Sequence, residues 1–171
     1  MIELLAKGYI SQELFEWAKK SGFMTAPASA KYHGAFKGGL YKHSKAVQET
    51  LVNFTKKLGL QWQKERSPYI VGMFHDLCKV DQYIQTEDGY EHDENILLKG
   101  HGEKSVMLLS QFMELTEEEI LCIRYHMGAY ETDDWKQFDL AIKKYPNVLF
   151  THTADMYASK MIYCNFRRLY K

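Results

Sequence analysis

Apolar residues recur along most of the chain at spacings of three and four, the period of an α-helix with one face against a core. Over residues 12–21, Leu14, Phe15 and Ala18 share a face, with Ser11 placed to cap the start and Gly22 to stop the run. Residues 25–39 lose the periodicity and hold Pro27, Gly34, Gly38 and Gly39, so they read as a structured loop. The period returns over 40–58 with Ala46, Val47, Thr50, Leu51, Phe54 and Leu58, and Gly59 ends it. Ser67-Pro68 is a start signal for a further helix over 69–78. That helix is apolar on nearly every face and must be buried. Residues 83–92 change to a strand pattern around Asp88-Gly89, which predicts a small β-hairpin. Helices are predicted again over 101–113, over 116–128 behind the capping box that opens at Thr116, over 135–144, and from Pro146 past Tyr163. The fold class expected is all-α: a bundle of about six or seven helices with one hairpin.

No repeat, linker or biased segment divides the 171 residues, so one domain over 1–171 is expected. Lysine plus arginine and aspartate plus glutamate each total 22, which excludes a global basic field for holding nucleic acid. An anionic partner must be attracted locally. No apolar stretch is long enough for a transmembrane helix, and the start MIELLAKGYI lacks the basic and apolar regions of a signal peptide. Cys78, Cys122 and Cys164 are odd in number and far apart, so they read as reduced residues of a cytoplasmic protein.

The chemistry lies in the seven histidines. His75-Asp76 sits inside the apolar run from Tyr69 to Cys78, where both side chains are costly to bury unless they are paired or metal-bound. Gly72, one turn earlier, allows close approach of another segment. His92-Asp93 is a second such pair, but it lies in a polar stretch after the turn and reads as a solvated hairpin edge. His43 and His101 each open a helix after glycine, His126 lies in the last turn of the 116–128 helix, and Asp155 is surrounded by apolar residues. Five helices that each place metal-type ligands at an end or inside an apolar run point to a metal centre.

The order His43, His75-Asp76, His101, His126, Asp155 resembles the HD-domain metal-dependent phosphohydrolases, with a metal-site core over about 31–155. The stretch from His33 to His43 is similar to the H-x4-GGL-x2-H stretch of 3′-to-5′ exoribonucleases that join an OB-fold to an HD domain. His75-Asp76-Leu77-Cys78-Lys79 matches the HD-x-x-K pattern, with Cys78 where glycine is commoner. The resemblance implies one metal on His43, His75, Asp76 and Asp155. It implies a second on His101 and His126, with Asp76 bridging. Lys79 and His33 match positions near the substrate phosphate; His152 matches no ligand position and reads equally as a support behind the ligands or a core residue.

Four imidazoles and two carboxylates suit two divalent transition-metal ions (Fe, Mn, Co, Ni or Zn) better than Mg²⁺. Such a centre is locally positive, and its bound hydroxide is the expected nucleophile on phosphorus, with Asp76 and Lys79 as the catalytic residues. The expected activity is hydrolysis of a phosphomono- or phosphodiester of a nucleotide or short oligonucleotide. Tyr32, Phe36, Tyr41, Tyr125 and Tyr130 flank the ligand positions as candidates for stacking a base. Polymeric RNA is the poorer expectation, because no OB-fold precedes the domain and the basic residues scatter. Two alternatives stand beside it: a di-iron oxygenase acting on alcohols, since some HD-fold proteins that this chain resembles use the same six ligands, and a non-catalytic nucleotide-binding module, against which retention of all six ligand types argues.

Overall fold

The computed structural model describes residues 1–128 and 135–162. Tyr130, Cys164, the basic residues Arg167, Arg168 and Lys171, and the part of the last helix expected beyond 162 lie outside the described residues. Among the described residues the chain forms eight α-helices and one antiparallel hairpin. These are α1 (Ile2–Ala6), α2 (Gln12–Lys20), α3 (Gly39–Leu58) and α4 (Ser67–Phe74), then β1 (Tyr83–Thr86) and β2 (Gly89–His92). After the hairpin come α5 (Gly102–Leu109), α6 (Glu117–Arg124), α7 (Trp135–Lys144) and α8 (Asn147–Tyr157), which runs on as a π-helical turn over Ala158–Ile162. The helix that periodicity did not predict is α1, whose five residues are too few to show a period.

The terminal signals act as their chemistry demands. Ser11 Oγ accepts the Leu14 amide at 3.1 Å, and Thr116 and Glu119 close a full capping box on α6. Gly59 ends α3 in the left-handed region at φ +67°, which only glycine enters cheaply. In the hairpin Tyr83 pairs with His92 and Thr86 with Gly89, so Glu87 and Asp88 form the loop and Gly89 begins β2.

Helix α3 is the axis of the bundle: α4 and α8 pack against it, α6 packs against α4, α5 and α8, and α7 lies on α8. Phe23, Leu40, Leu51, Ile70, Phe74, Leu77 and Ile123 are fully buried between them. Phe23 and Phe74 meet with ring centroids 5.7 Å apart. Truncating a fully buried phenylalanine such as Phe74 to alanine costs about 3–5 kcal/mol. Gly72 lets α4 approach α3 closely, since a Cβ there would overlap the main chain of Gln48. Gly102 does the same for α5, where a Cβ would overlap the main chain of Arg124. No helix among the described residues is long and apolar enough to cross a membrane.

Helices α4 and α6 stop earlier than the apolar pattern predicts, and near each end a histidine ring takes a main-chain carbonyl. The His75 ring donates Nδ1–H to the carbonyl of Gly72 at 2.9 Å, the carbonyl that the Asp76 amide would take in a continuing helix. Asp76 leaves helical geometry at φ −101°, ψ 21°, and a 3₁₀ turn follows at Leu77–Val80. The His126 ring likewise takes the carbonyl of Ile123 at 2.6 Å, two residues after α6 ends. The His-Asp pair therefore sits at a helix end, where neighbouring side chains can converge on one ion.

Candidate metal centre

Six side chains from five parts of the chain converge. His43 comes from the first turns of α3, His75 and Asp76 from the end of α4, and His101 from the residue that caps α5. His126 comes from the turn after α6, and Asp155 from the last turns of α8. His43, His75 and His126 are wholly buried and Asp76 is 1% exposed. Three overlapping sets of three have ligand atoms within 4.8 Å of one another: His43–His75–Asp76, His75–His126–Asp155 and Asp76–His101–His126. The cluster can hold a metal ion.

The two oxygens of Asp76 face different groups. Its Oδ2 lies 3.5 Å from His43 Nε2 and 3.4 Å from His75 Nε2. The two Nε2 atoms are 3.3 Å apart, and Asp155 Oδ1 is 2.9 Å from that of His43 and 3.8 Å from that of His75. Asp76 Oδ1 lies 3.1 Å from His101 Nε2 and 3.3 Å from His126 Nε2. Ligands bound at about 2.0–2.2 Å around one ion stand roughly 3.0–3.5 Å from each other, and these separations lie in or close to that range, with only the 2.9 Å and 3.8 Å contacts of Asp155 outside it. The orientation fits too. With Nδ1–H given to main-chain carbonyls, His75 and His126 turn their Nε2 lone pairs toward Asp76. His126 Nε2 is buried with its lone pair toward Asp76 Oδ1, 3.3 Å away. Acceptors that face each other across such a gap are costly to bury unless a cation joins them.

Protonation follows from burial and from Asp76. Burial opposes the charge of Asp76, but Lys79, His75 and the rings of His101 and His126 outweigh it and hold the carboxyl well below its usual range. Asp155 is lowered in the same way: burial opposes, and His43 overcomes it. Burial also opposes the charge on Lys79, which Asp76 nevertheless raises. His101 is pushed up to about 10, because Asp76 and Cys78 outweigh its burial. His126 is lowered by burial, and His33 is lowered to about 4 by burial and by the neighbouring His43.

The two residues expected near a substrate phosphate stand at the same place. Lys79 is 6% exposed, and its Nζ donates to Asp76 Oδ2 at 2.7 Å, so it touches the candidate ligand itself. The His33 ring lies 4.7 Å from that of His43, on a loop tied by Ser29 and by the Gly38 and Leu40 amides to the main chain of Thr25 and Ala26. Of the aromatic candidates, Tyr32 is 82% exposed and Phe36 is partly exposed under Lys42, whereas Tyr125 is core and Tyr41 packs on Phe23.

Two further histidines find their places. His92 contacts Gln82 and the Tyr83 ring, and none of the three ligand sets includes it or Asp93. His152 donates Nδ1–H to the carbonyl of His126 at 2.8 Å, with its ring against Gly128, and so latches the main chain of a candidate ligand from behind.

Sequence reasoning missed Ser105. Its hydroxyl accepts the Cys78 amide at 3.0 Å and donates to the His101 carbonyl at 3.2 Å, which stitches the 3₁₀ turn to α5. It also missed a cavity of about 480 Å³ beside the centre, lined by Cys78, Gln82, Asp93, Lys99 and Lys104 among others. None of the six candidate ligands lines that cavity. Compared with known proteins, the chain matches no family model, no curated protein and no solved structure.

Proposed function

We propose that the protein is a metal-dependent phosphohydrolase of the HD-domain type. The proposed substrate is a phosphoester of a nucleotide or short oligonucleotide. The observation that carries the reading is the placement of Asp76, whose two carboxylate oxygens face two separate histidine groups as a bridging ligand does. His43, His75, Asp76 and Asp155 would hold one divalent transition metal; His101, His126 and Asp76 would hold a second. Bound there, such ions would supply Lewis acidity toward a phosphoryl oxygen and acidify water to near neutral pH.

The rest falls to the chain's own residues. The carbonyls of Gly72 and Ile123 orient His75 and His126, and burial keeps His126 neutral and able to ligate. Lys79 brings an ammonium to the same carboxylate, and we assign it to the phosphoryl oxygen as a fixed positive charge. His33, neutral through burial, is assigned to the substrate side of His43 as a hydrogen-bonding partner. Tyr32 and Phe36 on the same loop offer faces for a base. The free, buried Cys78 and Cys122 suit the cytoplasmic setting that belongs to this proposal.

The test begins with protein purified without chelator and analysed for Fe, Mn, Co, Ni and Zn. The same protein, with Mn²⁺ or Co²⁺, is then offered a panel of nucleoside phosphomonoesters and short phosphodiesters. Turnover in H₂¹⁸O should place the label in the phosphate group. Label from ¹⁸O₂ in an oxidised alcohol, with no phosphate chemistry, assigns the site to the oxygenase alternative. Metal-loaded protein that binds nucleotides and turns over none of them assigns it to the binding-module alternative.

A further inference from the structure

We propose that Cys78 is a positioning residue for the second metal position, the sulfur that sets the ring of His101. The proposal rests on the two-metal reading above. A metal-ligating histidine ordinarily donates its other ring N–H to a carbonyl, a carboxylate or water, which fixes both tautomer and ring angle. His75 and His126 follow that rule with main-chain carbonyls. His101 differs, because its Nδ1 faces Cys78 Sγ at 3.6 Å.

The contact is built from both sides. Cys78 is 1% exposed, and its amide is held by Ser105 Oγ, the hydroxyl that also donates to the carbonyl of His101. Sulfur and imidazole are therefore tied through side chain and main chain together. Cys78 lies two residues after Asp76, so one short segment carries the candidate bridging carboxylate and the anchor for a ligand 23 positions further on. With Nδ1–H given to sulfur, Nε2 is the nitrogen turned to Asp76 Oδ1, 3.1 Å away. Sulfur is a weak acceptor, which makes His101 the ligand least firmly set and ties the second position to the thiol.

The test compares wild type, Cys78→Ala and Cys78→Ser. Each is stripped of metal and titrated with Co²⁺, following visible absorption and the bound-metal count. Wild type should fill two positions. Cys78→Ala should fill the first as wild type does and the second with affinity lower by about 10- to 100-fold, the usual effect of losing a partner behind a ligand. Cys78→Ser keeps an acceptor and should restore most of the loss, which an effect of core packing alone would not predict. In Zn²⁺-loaded wild type, nitrogen-15 spectra of the histidines should show His101 as the Nδ1–H tautomer, a readout that needs no variant to fold. Two full Co²⁺ positions of unchanged affinity in Cys78→Ala, or a His101 protonated at Nε2 in the Zn²⁺ form, overturns the Cys78 proposal and leaves the metal reading standing. Wild type that takes up no Co²⁺ overturns both.

Discussion

Asp76→Ala tests the centre most directly in metal-stripped protein, because the carboxylate it removes neutralises buried positive charge. Lys79 Nζ stands 2.7 Å from Asp76 Oδ2, with side chains 8% and 2% exposed. Removing one partner of such a buried pair costs about 3–5 kcal/mol, since the other is left uncompensated. For a chain of this length about 1 kcal/mol moves the melting temperature by 2–4 °C, so the variant should melt roughly 6–20 °C lower. Lys79→Met leaves a carboxylate that still faces His101 and His126, and it should cost less. The double variant removes both charges, so its loss should fall well short of the sum of the singles. Thermal melts in EDTA, run as a double-mutant cycle, read the coupling. Losses that add to within about 0.5 kcal/mol would refute the buried pair. In the metal-replete protein, Asp76→Ala should hold neither ion. Two ions retained in that variant would refute Asp76 as the bridge.

His126→Ala should keep one ion per chain and lose the second, as read by elemental analysis of protein purified without chelator. His92→Ala and Asp93→Ala should both keep the wild-type metal content, because that pair contacts Gln82 and Tyr83 and stands apart from the ligand sets. Lys79→Met should slow the chemical step on a phosphoester by about 10- to 1000-fold, as for loss of one electrostatic contact, with metal content unchanged.

Local chemistry wrote the features that the sequence made legible. Ser11, Pro68 and the Thr116 box act within one helical turn, and the convergence of His43, His75, Asp76, His101, His126 and Asp155 shows as ligand types at helix ends or in apolar runs. The ends of α4 and α6 were not legible, because an apolar pattern does not report the contacts of the His75 and His126 rings with main-chain carbonyls there. The Cys78–His101 and Ser105–Cys78 contacts join residues 23 and 27 positions apart, where no periodicity reports a neighbour. The burial of Lys79 was not legible either. Its burial follows from the 3₁₀ turn, which turns it back on Asp76 three residues earlier.

The metal-free centre already sets positive charge against Asp76, and that charge dictates how metal must enter. Asp76 and Asp155 stay ionised, and Lys79 and His101 carry positive charge beside Asp76. His101, raised to about 10, keeps its proton at pH 7, so an ion at the second position must expel that proton to reach Nε2. Lys79 is held charged by Asp76 and belongs to none of the three ligand sets, so it has no such need to yield. Filling the second position should then release close to one proton, with apparent affinity rising about tenfold per pH unit while pH stays well below that of His101. Calorimetric titration of Co²⁺ into stripped protein at pH 7, in two buffers of different ionisation enthalpy, reads the proton count. Heats that do not depend on the buffer would mean that His101 is already neutral, and would refute the proton as the barrier to the second position.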